Sequence, residues 1–192
     1  MKPQSPHRDK TAHQHAIEAI AARVYSRPPR LGAARLVAVD GPGGAGKSTL
    51  ASRLASVCGA QLLHTDDFAS WDNQFGWWSR LEEQVLRPIA DGQLGRYQRY
   101  DWGEQKLADW CTVSPVGVLI LEGVSASRAA VRDRLYVTVW VETPRHIRLD
   151  RGLARDGADS IALWEQWMAA EDRHFATEHT REHADFVVSG VR

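Results

Sequence analysis

An α/β fold, a parallel β-sheet of about five strands with helices on both faces, is predicted by three observations. A short apolar run at residues 36–39 leads into the stretch Gly41-Pro42-Gly43-Gly44-Ala45-Gly46-Lys47-Ser48-Thr49 and then into a segment of helical period. Residues 116–121 and 135–141 are near-continuous apolar runs, as strands buried on both faces of a parallel sheet require. Strand-type and helix-type segments alternate along the chain, which is the pattern of βαβ units.

In chain order, residues 1–10 are polar and proline-containing and read as a flexible N-terminal tail, followed by a single domain over residues 11–192. Residues 11–25 are helical in pattern, with Ile17, Ile20 and Val24 on one face, and Pro28-Pro29 stops them. The first strand is 36–39. The helix after the glycine-rich loop repeats Leu50, Leu54 and Val57 at i, i+4 and i+7, and Gly59 ends it. Residues 61–64 form a second short strand. Residues 70–112 are an insert rich in Trp, Tyr, Gly and charge, with one helix at about 78–87 that Pro88 is expected to end. Strands follow at 116–121 and 135–141, a helix at 144–155, a long helix at about 160–183 with Ile161, Trp164, Met168 and Phe175 inward, and a last strand at 185–188.

The chain has 24 basic and 24 acidic side chains, a balance without the electrostatic footprint of a nucleic-acid or anionic-membrane binder. No segment has the length and apolarity of a membrane span, and no apolar leader stands at the N-terminus. Cys58 and Cys111 lack metal-ligand spacing and suit a reducing compartment. A cytoplasmic protein is expected.

The stretch 41–49 matches G-x-x-x-x-G-K-[ST], the phosphate-binding P-loop. Strand, glycine loop and helix in that order predict the three-layer sandwich of a P-loop NTPase. Glycine lets backbone N–H groups approach phosphate oxygens with no Cβ in the way. ATP is therefore expected on Gly41, Gly43, Gly44, Ala45, Gly46, Lys47, Ser48 and Thr49, with Lys47 reaching the β- and γ-phosphates and Ser48 holding Mg²⁺.

Ligands of open α/β sheets sit at the carboxyl ends of the strands. Two more strand ends carry chemistry here. Asp66 is the candidate base that orients and deprotonates a hydroxyl acceptor. The alternative is that Asp66 and Asp67 merely cap the segment that follows. Glu122 ends a hydrophobic strand as a Walker-B acid does and is the second Mg²⁺ candidate, with a turn glutamate as the alternative. Arg148, Arg151 and Arg155 recur at i, i+3 and i+7, so one helix face over residues 145–158 presents three guanidiniums as a lid, weakened locally by Gly152 and Gly157. A solvated basic face is the alternative.

The acceptor site is expected in the insert, on Phe68, Trp71, Tyr97, Arg99, Tyr100, Asp101 and Trp102 together with Asp66. Flat rings there suit a base or a sugar, although any single aromatic is as readily explained by core packing. His174, His179 and His183 read as surface residues without a third acidic metal ligand.

The stretches 40–49 (DGPGGAGKST), 64–68 (HTDDF), 100–102 (YDW), 121–124 (LEGV), 148–156 (RLDRGLARD) and 184–188 (ADFVV) occur in the order they have in uridine kinase-like P-loop nucleoside and metabolite kinases. Over residues 36–188 the chain resembles a divergent bacterial member of that family. The resemblance implies that Asp66 is the base, that Glu122 lies near metal and acceptor, that the three arginines belong to a lid, and that Tyr100-Asp101 contacts a nucleoside. Uridine kinases carry a pyrimidine-contacting histidine shortly after that pair. Here Gly103-Glu104-Gln105-Lys106 follows, so uridine or cytidine is one candidate acceptor among small hydroxyl-bearing metabolites. The reading is an ATP-dependent kinase of such a metabolite, with a homo-oligomer left open. The rival from another class is a regulatory P-loop ATP-binding protein or ATPase with no small-molecule acceptor.

Overall fold

The computed structural model describes residues 6–70 and 72–191. Five parallel strands form the central sheet: β1 (Ala33–Asp40), β2 (Gln61–His64), β5 (Val116–Glu122), β6 (Leu135–Glu142) and β7 (Phe186–Ser189), in the order β2-β5-β1-β6-β7. The strand period of two sorts the apolar runs into two cores. Val37, Val39, Val118, Ile120, Val137 and Val139 face one side and pack with Ile17, Ile20, Leu50 and Leu54. These belong to helices α1 (Pro6–Val24) and α2 (Lys47–Cys58). Leu36, Ala38, Leu119 and Leu121 face the other side and pack with Trp77, Leu81, Val85 and Ile89. The predicted three-layer α/β sandwich is what forms.

The register brings the chemistry to one edge. His64 of β2 lies beside Glu122 of β5, which in turn lies beside Val39 of β1, so the three strand ends finish level.

Several elements differ from the sequence pattern. Helix α1 begins at Pro6, so residues 6–10 are helical where a flexible tail is expected; proline suits a first helical turn, where its missing N–H is unneeded. The insert's helix does not stop at Pro88. It runs from α3 (Trp78–Leu81) through a π-helical segment, Glu82–Leu86, into α4 (Arg87–Ala90). Pro88 follows directly on the π-helical segment, a local widening of the helix at the place where the proline ring and its missing N–H interrupt the i→i−4 ladder.

The rest of the insert is a hairpin absent from the sequence pattern, β3 (Gly95–Asp101) paired antiparallel with β4 (Lys106–Val113). Its turn is closed by the Asp101 carboxylate, which accepts the N–H groups of Gly103 and Glu104, both at 2.9 Å. The lid candidate is α5 (Arg145–Asp156). Helix α6 (Ile161–Glu178) is shorter than expected because His179 adopts a left-handed conformation, φ 50°, and returns its N–H to Phe175. Trp164 and Met168 of α6 are buried as predicted, whereas Ile161 is exposed.

Candidate active site

Positive backbone angles shape the glycine loop: φ is 142° at Gly41, 72° at Gly44 and 98° at Gly46. A Cβ at Gly41 would lie 2.3 Å from the Val141 carbonyl oxygen, and one at Gly44 2.7 Å from that of Arg148. Both positions therefore require glycine. Gly46 caps α2, whose N-terminus is directed into the loop. Within the loop Lys47 Nζ donates to the Pro42 carbonyl at 3.0 Å.

Asp40, which the sequence analysis assigned no role, anchors this loop. It is fully buried and accepts the N–H groups of Gly41, Ser125 and Ser127 and the Ser127 hydroxyl, at 2.7–3.0 Å. One carboxylate thus ties the loop after β1 to the loop after β5. A second strap comes from α5: Arg151 donates to the carbonyls of Gly44 and of Gly190, just past the end of β7, each at 3.0 Å.

Glu122 and Ser48 meet, with Ser48 Oγ donating to Glu122 Oε1 at 3.0 Å. His64 Nδ1 lies 2.6 Å from the other Glu122 oxygen. Burial alone would raise the Glu122 pKa, but the His64 hydrogen bond and the Lys47 charge outweigh it and hold the carboxyl below its usual range. The same bond raises His64. The sequence analysis gave His64 no role of its own; its neighbour across the register supplies one.

The pair predicts a pH window for stability. His64 gains its proton more readily folded than unfolded, so its contribution is full below its ordinary value of 6.5 and fades as pH rises through the raised folded value. Glu122 has the opposite sign: its contribution is full above its ordinary value of 4.5 and fades as pH falls through the lowered one. Urea denaturation of wild type and Glu122→Gln should differ most between those two values, and the difference should narrow without vanishing toward pH 9, where only the Glu122 contribution remains. A constant difference at every pH would show that the pair is not ionised as described.

Asp66 follows β2 in the turn Thr65–Asp67. Its carboxylate is open to solvent at the mouth of a recess. Partial removal from bulk water raises its pKa, with the Lys47 charge opposing. Asp67 is turned away and accepts the Tyr97 hydroxyl at 2.8 Å. The turn depends on Gly123, φ 138°, where a Cβ would fall 1.9 Å from Thr65 Oγ1. Gly123→Ala should cost about 2–5 kcal/mol in urea unfolding, from backbone strain plus overpacking. A loss below about 1 kcal/mol would mean that the two loops are not rigidly apposed.

A cavity of about 1040 Å³ joins these groups. Gly43, Gly44, Gly46, Lys47, Ser48 and Thr49 line it along with Asp66, Trp102, Glu122, Arg151 and Arg155. Other predicted site residues do not. Gly41 and Ala45 are buried behind the loop. Phe68 and Tyr97 stack on each other in the core, with centroids 4.7 Å apart. Arg99 pairs with Asp109 on the surface, and Tyr100 packs edge-on against Trp102. Asp101 closes the hairpin turn. Trp71 lies outside the described residues.

Arg148 departs most from the expectation of three guanidiniums over the phosphates. It is buried, donating to the Thr143 carbonyl at 3.1 Å and facing Glu171 at 3.4 Å. Glu171 is itself fully buried and accepts from Gly43 N at 2.8 Å and the Trp167 indole at 2.7 Å. An acid on α6 therefore holds the glycine loop from behind, a role the sequence analysis did not anticipate. Trp164, read from the sequence as an inward packing residue, and Trp167, to which the sequence analysis gave no role, also line the cavity. Among the described residues no cluster of three or more His, Cys, Asp or Glu could hold a metal, and no helix is long and apolar enough to cross a membrane.

A family model described as an AAA domain matches residues 37–165, well over half of the chain, and spans the glycine loop, Asp66, Glu122 and α5. The chain belongs to the AAA domain family. As an AAA domain it shares its fold with two solved structures. One is a possible uridine kinase from Bacillus stearothermophilus, 18% identical, with a TM-score of 0.66 over 92% of this chain and 98% of that one. The other, from Silicibacter sp. TM1040, has been provisionally called a fructose transport system kinase; it is 19% identical, with a TM-score of 0.67 over 91% of this chain and 98% of its own. At such identities the likeness is one of fold, and it supports the α/β P-loop architecture of this AAA domain.

Proposed function

We propose that the protein is an ATP-dependent kinase that transfers the γ-phosphoryl group to a hydroxyl of a small metabolite. The observation that carries this is the opening of Asp66 into the same cavity as Lys47 and Ser48. A binding loop alone holds a nucleotide; an accessible carboxylate facing it can also handle an acceptor proton.

The triphosphate lies on the loop N–H groups and Lys47, which leaves the Pro42 carbonyl for the phosphates. Asp66 orients the acceptor hydroxyl and takes its proton as that oxygen bonds the γ-phosphorus and the bond to the ADP oxygen breaks. Arg155, on the lid helix, lies close enough to act on the charge of Asp66. It adds positive charge at the phosphate end, and Arg151 holds the loop shape. The donors fit Mg²⁺, which prefers oxygen ligands: the Ser48 hydroxyl and an ionised Glu122 stand side by side. When bound, the ion would offset phosphate charge.

The test is to incubate the protein with Mg·ATP and a panel of nucleosides, sugars and vitamin precursors and to follow ADP. Acceptor-dependent turnover is expected. Slow hydrolysis indifferent to every acceptor would instead favour a regulatory ATPase.

A further inference from the structure

The cavity stretches across the carboxyl ends of the sheet, from Asp66 after β2 at one edge to Ser189, the last residue of β7, at the other. The glycine loop after β1 lies between them. Asp66 and Glu122 stand on the β2 side, so a triphosphate whose γ end meets them directs its base toward β7.

Helix α1 reaches that end. Positions 13, 17, 20 and 24 fall at i, i+4, i+7 and i+11, along one helix face. Ile17, Ile20 and Val24 are buried against the sheet in the same core as Val188 of β7. His13 continues the stripe beyond that core and lines the cavity. Its Nε2 lies 2.6 Å from the Ser189 carbonyl oxygen, which can only accept, so Nε2 carries the proton and donates. That bond fixes the imidazole at the cavity wall. The chain just past β7 is itself pressed against the glycine loop: a Cβ at Gly190 would fall 1.7 Å from the Ala45 carbonyl oxygen. Arg53 of α2 lines the cavity as well, its Nη2 3.5 Å from Gln14 Oε1 of α1. A flat ring and a planar guanidinium thus meet at the end toward which the base points. Both are groups on which a base stacks.

We propose that His13 holds the base of the bound nucleotide, its imidazole stacking on the flat face, so that α1 is part of the nucleotide site as well as a cover on the sheet. This rests on the ATP reading of the glycine loop above and on no particular acceptor. The loop grips phosphate alone. The ring is what favours a nucleotide over a bare polyphosphate.

Binding without an acceptor tests it. ATP and inorganic tripolyphosphate, each with Mg²⁺, are titrated by calorimetry into wild type and variants; the two ligands share the phosphates and differ in base and sugar. His13→Ala should weaken ATP about tenfold, the usual worth of one stacked base, and leave tripolyphosphate within about twofold. Two further variants separate the ring from its hydrogen bond. His13→Phe keeps a flat ring and loses the bond to Ser189, and its ATP affinity should stay within about threefold of wild type. His13→Gln can keep that bond but loses the ring, and should bind ATP as His13→Ala does. Unchanged ATP affinity in His13→Ala, or equal losses for ATP and tripolyphosphate, overturns the inference. So does recovery in His13→Gln with none in His13→Phe, which would make His13 a tie between α1 and β7. Failure of every acceptor in the turnover assay leaves the inference standing. Wild type that binds neither ligand overturns it together with the ATP reading.

Discussion

Asp66→Asn should lower kcat by about 10²–10⁴-fold, the usual worth of a positioned general base. The amide keeps the shape of the side chain and cannot take a proton. The Asp66 carboxylate makes no hydrogen bond to another described side chain, and the bond from Trp102 goes to the backbone carbonyl, which the substitution preserves. The fold should therefore be unchanged, and ATP affinity, read by calorimetry, should stay within about threefold, since the triphosphate groups lie elsewhere. Positioning counts for much of phosphoryl transfer. A loss of less than tenfold would place the role of Asp66 in orientation alone, and unchanged turnover would remove it from the site.

Glu171→Ala should be the most destabilising single substitution near the site, at about 3–5 kcal/mol, because it strands a buried guanidinium. Arg148 is 6% exposed and Glu171 0%, so water cannot replace the lost partner. The change also leaves the Gly43 N–H and the Trp167 indole without their acceptor. Glu171→Gln keeps one carbonyl oxygen and should cost about 1–3 kcal/mol. Urea unfolding measures both. In the milder variant, ATP affinity should fall even where the protein is fully folded, because a single carbonyl oxygen cannot serve both the glycine loop and Arg148 as the carboxylate does. A Glu171→Ala variant as stable as wild type would mean that Arg148 finds water or another acceptor, and the strap between α6 and the loop would lose its claimed importance.

The central sheet was legible because its strands are buried on both faces, and such strands must be apolar almost throughout. The hairpin of β3 and β4 was not. Arg96, Arg99, Lys106 and Asp109 are exposed along it, and Gly95, Tyr97 and Val113 are its few buried positions. A ribbon that is largely solvated carries no strong alternation, and the aromatic content of the segment invites a ligand-site reading instead. Tyr97 and Phe68 show why that reading overreached: their rings fill the core beneath the sheet. Trp164 on α6 shows the converse, since a ring spaced for packing also faces the cavity.

Arginine chemistry divides in the same way. Arg148, Arg151 and Arg155 are equivalent by helical spacing. Tertiary neighbours then distribute them: Glu171 draws the first into the interior, two backbone carbonyls hold the second, and Asp156 engages the third.

What the sequence by itself determined is the glycine loop at residues 41–49, the parallel sheet around it, and the acids at two neighbouring strand ends. Each depends on local backbone needs or on strand period, and both are written in consecutive residues. Tertiary structure alone decided the partners of those groups. Asp40 became an anchor, Glu171 a strap, and His64 the neighbour of Glu122, because residues 58 to 128 positions apart were brought within hydrogen-bonding distance. Side-chain charge is a property of the chain, but whether that charge faces a ligand or a buried partner depends on packing, and packing is not local.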